Sequence, residues 1–186
     1  MIPVALDPAV LPIAVAGRGA VALRRFLALR SGGARDLLLF SDQPDPDLAH
    51  AAGPALRDGL PGRAELAALR ALWIAGLPDD RAAELAVLAR SERVLVNVED
   101  RPALCDFHSV AEVRHGELLL TVSTGGASPG LAARIRARLA AEYGPEWTER
   151  LAQLRGHRAT WRQAGRNPTE VTALTDALLQ ANGWLA

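Results

Sequence analysis

The carboxylate best placed for proton chemistry is Asp100, which follows a strand-like apolar run at 94–98. If that run is a parallel strand, Asp100 lies just past its carboxyl end, where open α/β sheets bind their ligands. A carboxylate there could act as a general base or hold a metal cation. From position alone, the more common alternative is an aspartate that only stabilises a turn or caps a helix.

A glycine turn near the start of the chain is the second chemical signal. It follows four apolar residues at 13–16 and reads Gly17-Arg18-Gly19-Ala20-Val21-Ala22. Gly17 can take the tight turn, Gly19 leaves its Cα bare for a phosphate, and Ala22 keeps helix and strand close. The helix that follows would point free N–H groups at the same place. We therefore predict a dinucleotide site at 17–21, although glycine turns also occur without a ligand.

Two further strand ends could contribute to the same site. Ser41 and Asp42 follow the apolar run at 37–40, and dinucleotide-binding folds place an acidic residue there to accept hydrogen bonds from ribose hydroxyls. Asp42 could equally be a turn opener. Ala75 and Gly76 end a third run, where small residues let a cofactor approach closely but are also common in ordinary turns.

A backbone-rich loop that opens a helix further along the chain is a candidate anion site. It contains Thr124, Gly125, Gly126 and Ser128, and Pro129 gives the helix a strong start. The N–H groups of the loop and the helix dipole could bind carboxylates or phosphates. The alternative is simply a well-capped helix.

The case for a functional role is weaker for two side chains that lie between Asp100 and the loop at 124–128. His108 could touch a substrate, although a single histidine in a loop is more often a surface or packing residue. Cys105 is the only cysteine, and nothing nearby in sequence marks it as an activated nucleophile, so a small core residue is the better interpretation. Taken together, the glycine turn, the aspartate and the anion loop favour a nucleotide plus an anionic co-substrate, and hydride transfer is one reaction that fits.

The elements that position these residues follow from the hydrophobic pattern. Apolar runs alternate with helical patterns through the first half of the chain, which predicts a right-handed parallel α/β sheet. Residues 3–7 could form an edge strand or wrap over the first strand, and 47–63 has no clear assignment. A strand is expected at 117–123, and from Pro145 the pattern is helical only. The last two amphipathic helices need a surface to cover, either a symmetric partner subunit or the same chain.

Composition limits the function classes. The chain has 186 residues, of which 49% are hydrophobic and 23% charged, so it can bury a normal core. Its formal net charge is zero, which argues against electrostatic attachment to nucleic acid or to a membrane. A single cysteine excludes an intrachain disulfide framework, and the sequence has neither a bilayer-length apolar run nor a signal-peptide pattern. We therefore expect a cytoplasmic protein with no nucleic-acid or membrane partner.

Three motifs give the sequence a resemblance to a known family, the bifunctional precorrin-2 dehydrogenase and sirohydrochlorin ferrochelatase, which also forms the N-terminal part of siroheme synthase. They read Gly17-Arg18-Gly19-Ala20-Val21-Ala22-Leu23-Arg24-Arg25, Asn97-Val98-Glu99-Asp100 with Phe107, and Ser123-Thr124-Gly125-Gly126-Ala127-Ser128-Pro129-Gly130-Leu131-Ala132. The second and third motifs, in this order, are far more specific than the glycine turn. The resemblance extends over most of the chain.

The resemblance implies a Rossmann-like NAD-binding domain over 1–112, a small α+β dimerisation region over 113–144 and a helical region over 145–186, in an intertwined homodimer. It also implies NAD-dependent oxidation of precorrin-2 to sirohydrochlorin. In bifunctional members this is followed by insertion of ferrous iron to give siroheme. The tetrapyrrole is then the substrate, NAD the cofactor and ferrous iron a substrate metal.

Some residue roles are carried over from the same motifs, whereas those of Ala75, Gly76 and His108 rest on the positional arguments above. Asp100 matches the family's catalytic aspartate, which is proposed to assist proton removal and, transiently, metal insertion. Ser128 matches a residue at the tetrapyrrole site, where N–H groups could meet substrate carboxylates. The cofactor-binding set is Gly17, Arg18, Gly19, Ala20, Val21, Ser41, Asp42, Ala75, Gly76 and Asn97. The substrate-binding set is His108, Thr124, Gly125, Gly126 and Ser128.

One segment departs from the family pattern. Where the family usually has Ala-Thr-Asp or Ala-Thr-Asn at the end of the third long strand, this chain has Gly76-Leu77-Pro78-Asp79-Asp80. The departure motivates an alternative of a different class, a non-catalytic module that senses or carries NAD or a tetrapyrrole. A sensor would bind its ligand without turnover.

Overall fold

A five-stranded parallel sheet forms the centre of the first part of the chain. The computed structural model describes residues 2–185, and the chain divides into two compact units, Met1–Ser109 and Val110–Ala186. The strands of the first unit are β1 (Ile13–Gly17), β2 (Leu37–Ser41), β3 (Leu56–Asp58), β4 (Ala71–Ala75) and β5 (Leu95–Val98). Their order across the sheet is β3-β2-β1-β4-β5, with every neighbouring pair parallel. The predicted Rossmann-like parallel sheet is confirmed.

The strand order places the candidate site. From β1 the chain moves outward to β2 and β3, then returns to add β4 on the other side of β1. The order therefore reverses between β1 and β4, and open α/β sheets bind their ligands at such a reversal, at the carboxyl ends of the strands. That edge carries the ends of β1, β2, β4 and β5, which the sequence identifies as candidate site segments.

Helices cover the sheet because its strands are apolar on both faces. All five residues of β1 are buried, and successive side chains point to opposite faces. Ile13 and Val15 pack with Phe26 on one face, whereas Ala14 and Ala16 pack with Leu85 on the other. The helices of this unit are α1 (Gly19–Ser31), α2 (Pro46–Ala52), α3 (Arg63–Ala68) and α4 (Asp79–Ser91), with short 3-10 turns at Gly53–Ala55 and Pro102–Leu104.

The second unit is an antiparallel hairpin with three helices. The hairpin joins β6 (Ala111–His115) to β7 (Leu118–Val122), and the helices are α5 (Pro129–Glu142), α6 (Trp147–Gln163) and α7 (Pro168–Ala181). Gly116 turns the hairpin with a φ of 58°, and a side chain there would press on Thr148 of α6. Asn167 caps α7 by accepting from the backbone N–H of Glu170, whose carboxylate in turn accepts from the N–H of Asn167.

The structure corrects one expectation about the elements and assigns two segments that the sequence pattern leaves open. Residues 3–7 form no strand and are exposed to solvent. The alternation at β6 was missed, since only Val113 of that strand is fully buried and its apolar signal is short. The unassigned segment 47–63 contains most of α2, a 3-10 turn and β3.

Within residues 2–185, no helix has the length and apolar character needed to cross a bilayer.

Candidate active site

The turn between β1 and α1 has the backbone shape that the glycine pattern predicts. A side chain on Gly17 would collide with the carbonyl oxygen of Ala75 and lie 3.1 Å from Cβ of Ala22, so the strand, the helix and β4 meet here at backbone distance. Gly19 has a φ of 61° and open space where a Cβ would be. The N–H of Arg18 donates to the carbonyl oxygen of Ala75 at 3.1 Å, which fixes the turn against β4.

The first turn of α1 is open to an anion. Arg18 is the N-cap residue, and its side chain makes no capping hydrogen bond. The first turn, which includes Ala20 and Val21, carries no acidic side chain, so its N–H groups and the positive end of the helix dipole are unopposed. With the bare Cα of Gly19 beside them, these donors suit a pyrophosphate, and the residues present fit a dinucleotide cofactor.

The end of β4 completes this turn despite its departure from the family pattern. Gly76 has a φ of 71°, and a Cβ on it would collide with the carbonyl oxygen of Arg18. Glycine is therefore required here both for its conformation and for the close approach of the β1–α1 turn. Pro78 then provides the N-cap position of α4, and Asp79 and Asp80 lie in the first turn of that helix.

Arg18 and Asp42 form an ion pair at the end of β2. Nε and Nη2 of Arg18 donate to the two carboxylate oxygens of Asp42 at 2.8 and 2.7 Å, and both side chains are about a quarter exposed. Hydrogen bonding from Arg18 lowers the pKa of Asp42, and the same contact raises the pKa of Arg18. Ser41 is fully buried and its Oγ accepts from the backbone N–H of Gln43 at 3.4 Å, so its hydroxyl supports the turn.

Asp100 lies in a tight turn at the end of β5. The N–H of Arg101 donates to the carbonyl oxygen of Val98 at 3.2 Å, and Asp100 takes a left-handed φ of 59° with its side chain exposed. Few non-glycine residues adopt this conformation, although aspartate tolerates it better than most, and such residues cluster at functional sites. Glu99, immediately before it, accepts a hydrogen bond from Arg25 of α1 at 2.6 Å. Arg101 pairs with Asp79 of α4. The turn is thus tied down on both sides of Asp100.

Asn97 serves the backbone that follows β5. Its side chain is almost fully buried, and its Nδ2 donates to the carbonyl oxygen of Phe107 at 2.9 Å. The ring of Phe107 packs edge-on against Trp73 with centroids 5.0 Å apart, and Trp73 donates from Nε1 to Oγ of Ser109. The neighbouring His108 is half-buried. These contacts fix the segment that leads from the Asp100 turn to the end of the first unit.

Cys105 closes the loop that contains Asp100. Its sulfur accepts from the N–H of Val98 at 3.2 Å, and its thiol lies 3.3 Å from the carbonyl oxygen of Val98 and 3.2 Å from that of Arg101. The side chain also packs against the apolar cluster beneath the sheet. A packing and loop-stabilising role therefore accounts for this cysteine.

The loop before α5 uses most of its donors internally. The N–H of Ser128 donates to Oγ1 of Thr124, and Oγ of Ser128 accepts from the N–H of Leu131 at 3.2 Å as a helix cap. The N–H of Gly125 donates to Oγ of Ser123. The hydroxyl hydrogen of Ser128 stays available to a ligand, because the cap uses the oxygen only as an acceptor. Gly126, with a φ of 86°, has open space at its Cα.

The structure brings one part of the predicted site together. The residues from the glycine turn, Asp42, Gly76 and Asp100 share the carboxyl edge of the sheet in the first unit, whereas the loop at 124–128 belongs to the second unit. The sequence did not predict two ion pairs at this edge. Arg18 pairs with Asp42, and Arg25 pairs with Glu99, the residue before Asp100. In residues 2–185, no group of three or more His, Cys, Asp and Glu side chains is arranged to hold a metal ion.

Comparison with known proteins decides the family. A family model described as putative NAD(P)-binding matches residues 4–111, and a second one, sirohaem biosynthesis protein central, matches residues 116–142. The chain belongs to this siroheme-biosynthesis family with an NAD(P)-binding domain. The resemblance read from the three motifs is therefore confirmed, and the first family model covers the glycine turn, Asp42, Gly76 and Asp100.

Relatives in the family are longer than this chain. Siroheme synthase of Methylococcus capsulatus is 32% identical over 191 aligned residues, which cover 93% of this chain and 40% of that protein. Siroheme synthase of Gluconacetobacter diazotrophicus is 34% identical over 156 residues, covering 74% of this chain and 32% of the relative. The chain thus spans less than half the length of these curated family members.

A solved structure shares the fold along the whole chain. The structure described as SirC, precorrin-2 dehydrogenase, superposes with a TM-score of 0.77 at 22% sequence identity, covering 100% of this chain and 93% of that one. At this identity the similarity establishes the fold alone. The fold that the two proteins share includes residues of both units of this chain.

Proposed function

We propose that this protein oxidises precorrin-2 to sirohydrochlorin with NAD⁺ as the hydride acceptor. The observation that carries the proposal is the shared sheet edge: the open helix N-terminus at Gly19 follows β1, Asp42 follows the neighbouring β2, and Asp100, in a left-handed conformation, follows β5 at the same edge. The family supplies the substrate class, because its curated members act in siroheme biosynthesis.

The chain's own groups can bind the two halves of the cofactor. The N–H groups of the first turn of α1, beside Gly19, would bind the pyrophosphate, and the carboxylate of Asp42 would accept from the adenosine ribose hydroxyls. Ala75 and Gly76 keep the end of β4 free of side-chain bulk at the crevice. When bound, the nicotinamide supplies a hydride acceptor.

Asp100 would take the proton that leaves with the hydride. Oxidation of precorrin-2 to sirohydrochlorin removes two electrons and two protons, one hydride passing to NAD⁺ and one proton to a base. The exposed carboxylate of Asp100 is the base that the sheet edge offers, and the Arg25–Glu99 and Arg101–Asp79 ion pairs hold its turn in place. An exchange with water can then return Asp100 to its starting state.

The loop at 124–128 is our proposed contact for the substrate's carboxylates. Ser128 can donate its hydroxyl hydrogen without giving up its role as helix cap, and the bare Cα of Gly126 allows an acid group to approach the backbone. We also place His108 among the substrate contacts, because it is half-buried beside Phe107 and close in sequence to the Asp100 turn.

Ferrous iron insertion is a second reaction proposed for the same site. Inserting Fe²⁺ into sirohydrochlorin requires two pyrrole N–H protons to leave, and Asp100 could accept them in turn. The iron is a substrate in this scheme, held by the macrocycle nitrogens as they lose their protons. Assaying the product with and without Fe²⁺ separates the two reactions, since siroheme and sirohydrochlorin differ in absorbance.

We further propose that the protein acts as a homodimer in the cytoplasm. A two-stranded hairpin has little stability alone, and α5 beside it leaves Leu131 and Ile135 exposed to 50% and 39% at helical spacing. A partner subunit would cover both. Light scattering should report a dimer for the wild type and a monomer for Leu131→Arg. The control is Val87→Arg on α4, at a side chain that is 67% exposed in the first unit.

Anaerobic turnover tests the dehydrogenase proposal. Purified full-length chain is mixed with precorrin-2 and NAD⁺, and the appearance of sirohydrochlorin and NADH is followed by absorbance. Asp100→Ala should lower the rate about 100-fold or more while NAD⁺ binding stays within about threefold. The matched control is Asp36→Ala, an exposed aspartate just before β2 at the opposite edge of the sheet.

The outcomes separate the candidate classes. NAD-dependent oxidation by wild type and Asp36→Ala, lost in Asp100→Ala, supports the proposed reaction and the role of Asp100. Full activity in Asp100→Ala would remove that residue from the mechanism. Binding of NAD⁺ and sirohydrochlorin without turnover by the wild type would instead support the sensor or carrier, and binding of neither would overturn both.

A further inference from the structure

We infer that Arg18 makes this site accept the 2′-phosphorylated dinucleotide NADP⁺ as well as NAD⁺. The inference rests on the proposed function, since it concerns the adenosine end of the same cofactor site. The decisive feature is the ion pair between Arg18 in the glycine turn and Asp42 at the end of β2.

An acidic residue at the end of the second strand ordinarily selects against a 2′-phosphate. Its carboxylate accepts hydrogen bonds from the ribose 2′- and 3′-hydroxyls of NAD, and its negative charge repels a phosphate at the 2′ position. An arginine nearby has the opposite effect, because a guanidinium binds phosphate with two parallel hydrogen bonds. Here both groups occur in one contact.

The geometry of the pair neutralises the carboxylate. Nε and Nη2 of Arg18 each donate to a different oxygen of Asp42, at 2.8 and 2.7 Å, so the guanidinium and the carboxylate lie fork to fork. The charge that would repel a 2′-phosphate is therefore compensated at the place where the phosphate would lie.

The Arg18–Asp42 pair leaves hydrogen-bond donors and acceptors free to contact either cofactor. A guanidinium has five N–H donors, and the contact with Asp42 uses two, so Nη1 and the second hydrogen of Nη2 can turn to a phosphate. Each carboxylate oxygen of Asp42 has a further lone pair for a ribose hydroxyl. Because both side chains remain about a quarter exposed, a ligand can reach them.

The backbone holds Arg18 in place for this role. Its N–H donates to the carbonyl oxygen of Ala75, and its own carbonyl oxygen lies against the Cα of Gly76. The side chain therefore starts from a fixed point, between the helix N-terminus that suits the pyrophosphate and the carboxylate that suits the ribose.

Calorimetry with the purified full-length chain tests the inference through binding alone. We expect the dissociation constants of NAD⁺ and NADP⁺ for the wild type to lie within about tenfold of each other. Arg18→Gln should weaken NADP⁺ at least about tenfold more than it weakens NAD⁺. Arg35→Gln is the matched control, because it removes the same charge from an exposed position just before β2, at the other edge of the sheet.

Adenosine 2′,5′-bisphosphate and ADP serve as probes for the adenosine end alone. Arg18→Gln should lower the affinity for the bisphosphate at least about tenfold more than the affinity for ADP. Wild-type binding of NADP⁺ more than about 100-fold weaker than NAD⁺ would overturn the inference and leave the proposed function standing. Equal losses of NADP⁺ affinity in Arg18→Gln and Arg35→Gln would also overturn the inference, because the loss would then come from the change in net charge. If the wild type binds neither dinucleotide, the proposed function itself fails.

Discussion

Arg25 of α1 donates from Nη2 to Oε2 of Glu99 at 2.6 Å, so the first helix is tied directly to the turn that holds Asp100. The two residues are separated by 74 positions in the chain. Both side chains are about a quarter exposed, and Nε of Arg25 is buried with no hydrogen-bond partner among the residues described. The guanidinium therefore depends on Glu99 for its compensation, and this ion pair holds one side of the Asp100 turn.

Removing Glu99 should cost stability and turnover together. In Glu99→Ala the guanidinium of Arg25 loses its acceptor, and we expect the free energy of unfolding to fall by about 1–3 kcal/mol. Turnover should fall several-fold at unchanged NAD⁺ affinity, because the Asp100 turn loosens. Urea unfolding and steady-state kinetics measure the two effects. Glu84→Ala is the control: its partner Arg81 and Glu84 itself are 50% and 67% exposed, so the change should stay below about 0.5 kcal/mol.

The left-handed conformation of Asp100 predicts an unusual order of stabilities. With a φ of 59°, the position suits glycine, tolerates aspartate and asparagine, and disfavours alanine. Asp100→Gly should therefore be about 1 kcal/mol more stable than Asp100→Ala, although both lack the carboxylate and should be inactive. Asp100→Asn should keep wild-type stability and lose turnover. Thermal unfolding of the three variants gives the order, and an alanine variant as stable as the glycine variant would contradict it.

The apolar pattern was sufficient to predict the sheet and the glycine turn. β1 is buried at all five positions and β4 likewise, so continuous apolar runs indicated strands covered on both faces. The glycine spacing predicted a close approach of helix and strand, and a Cβ built on Gly17 would lie 3.1 Å from Cβ of Ala22. These features depend on neighbours along the chain, and a single sequence records such neighbours directly.

Contacts between residues that are far apart in the chain could not be predicted from the sequence. Arg18 and Asp42 are 24 residues apart, and their pairing follows from strand order, which the pattern alone does not give. β3 has three residues, none fully buried, so it lacks the apolar signal of an inner strand. The left-handed turn at Asp100 carries no glycine to mark it. The position of Asp100 after β5 was predictable from the sequence. Its left-handed conformation and the ion pairs that hold its turn were not.

Gly76 should be as important as the glycines of the first turn. A methyl group there would meet the carbonyl oxygen of Arg18, and the φ of 71° is costly for alanine. Gly76→Ala should therefore displace the β1–α1 turn and weaken NAD⁺ binding about tenfold or more in calorimetry. Gly156→Ala is the control, because that position in α6 has no atom within 4 Å of the added Cβ. Alanine there should raise the free energy of unfolding by about 0.5–1 kcal/mol.

The two roles of Ser128, as the cap of α5 and as a proposed substrate contact, can be tested separately. Its Oγ caps α5 by accepting from Leu131, and an aspartate can perform the same capping. Ser128→Asp should keep the helix and the free energy of unfolding, yet repel the carboxylates of a tetrapyrrole. We expect KM for precorrin-2 to rise about tenfold with little change in KM for NAD⁺. If KM for precorrin-2 stays at its wild-type value in a folded Ser128→Asp variant, the loop is only a helix start.

The Arg18–Asp42 pair should make stability depend on acid pH in a defined direction. Hydrogen bonding from Arg18 lowers the pKa of Asp42 in the folded protein, whereas an unfolded aspartate titrates near about 3.9. The unfolded state therefore binds the proton more readily, so the stabilisation is complete above that value and is lost as the pH falls through the folded pKa. The stability difference between wild type and Asp42→Asn, from urea unfolding, should be constant above about pH 5 and shrink below about pH 4. In an Arg18→Gln background that shrinkage should largely vanish, because the contact that lowers the pKa is gone. If the stability difference made by Asp42→Asn shrinks equally in the Arg18→Gln background, the lowered pKa of Asp42 comes from groups other than Arg18.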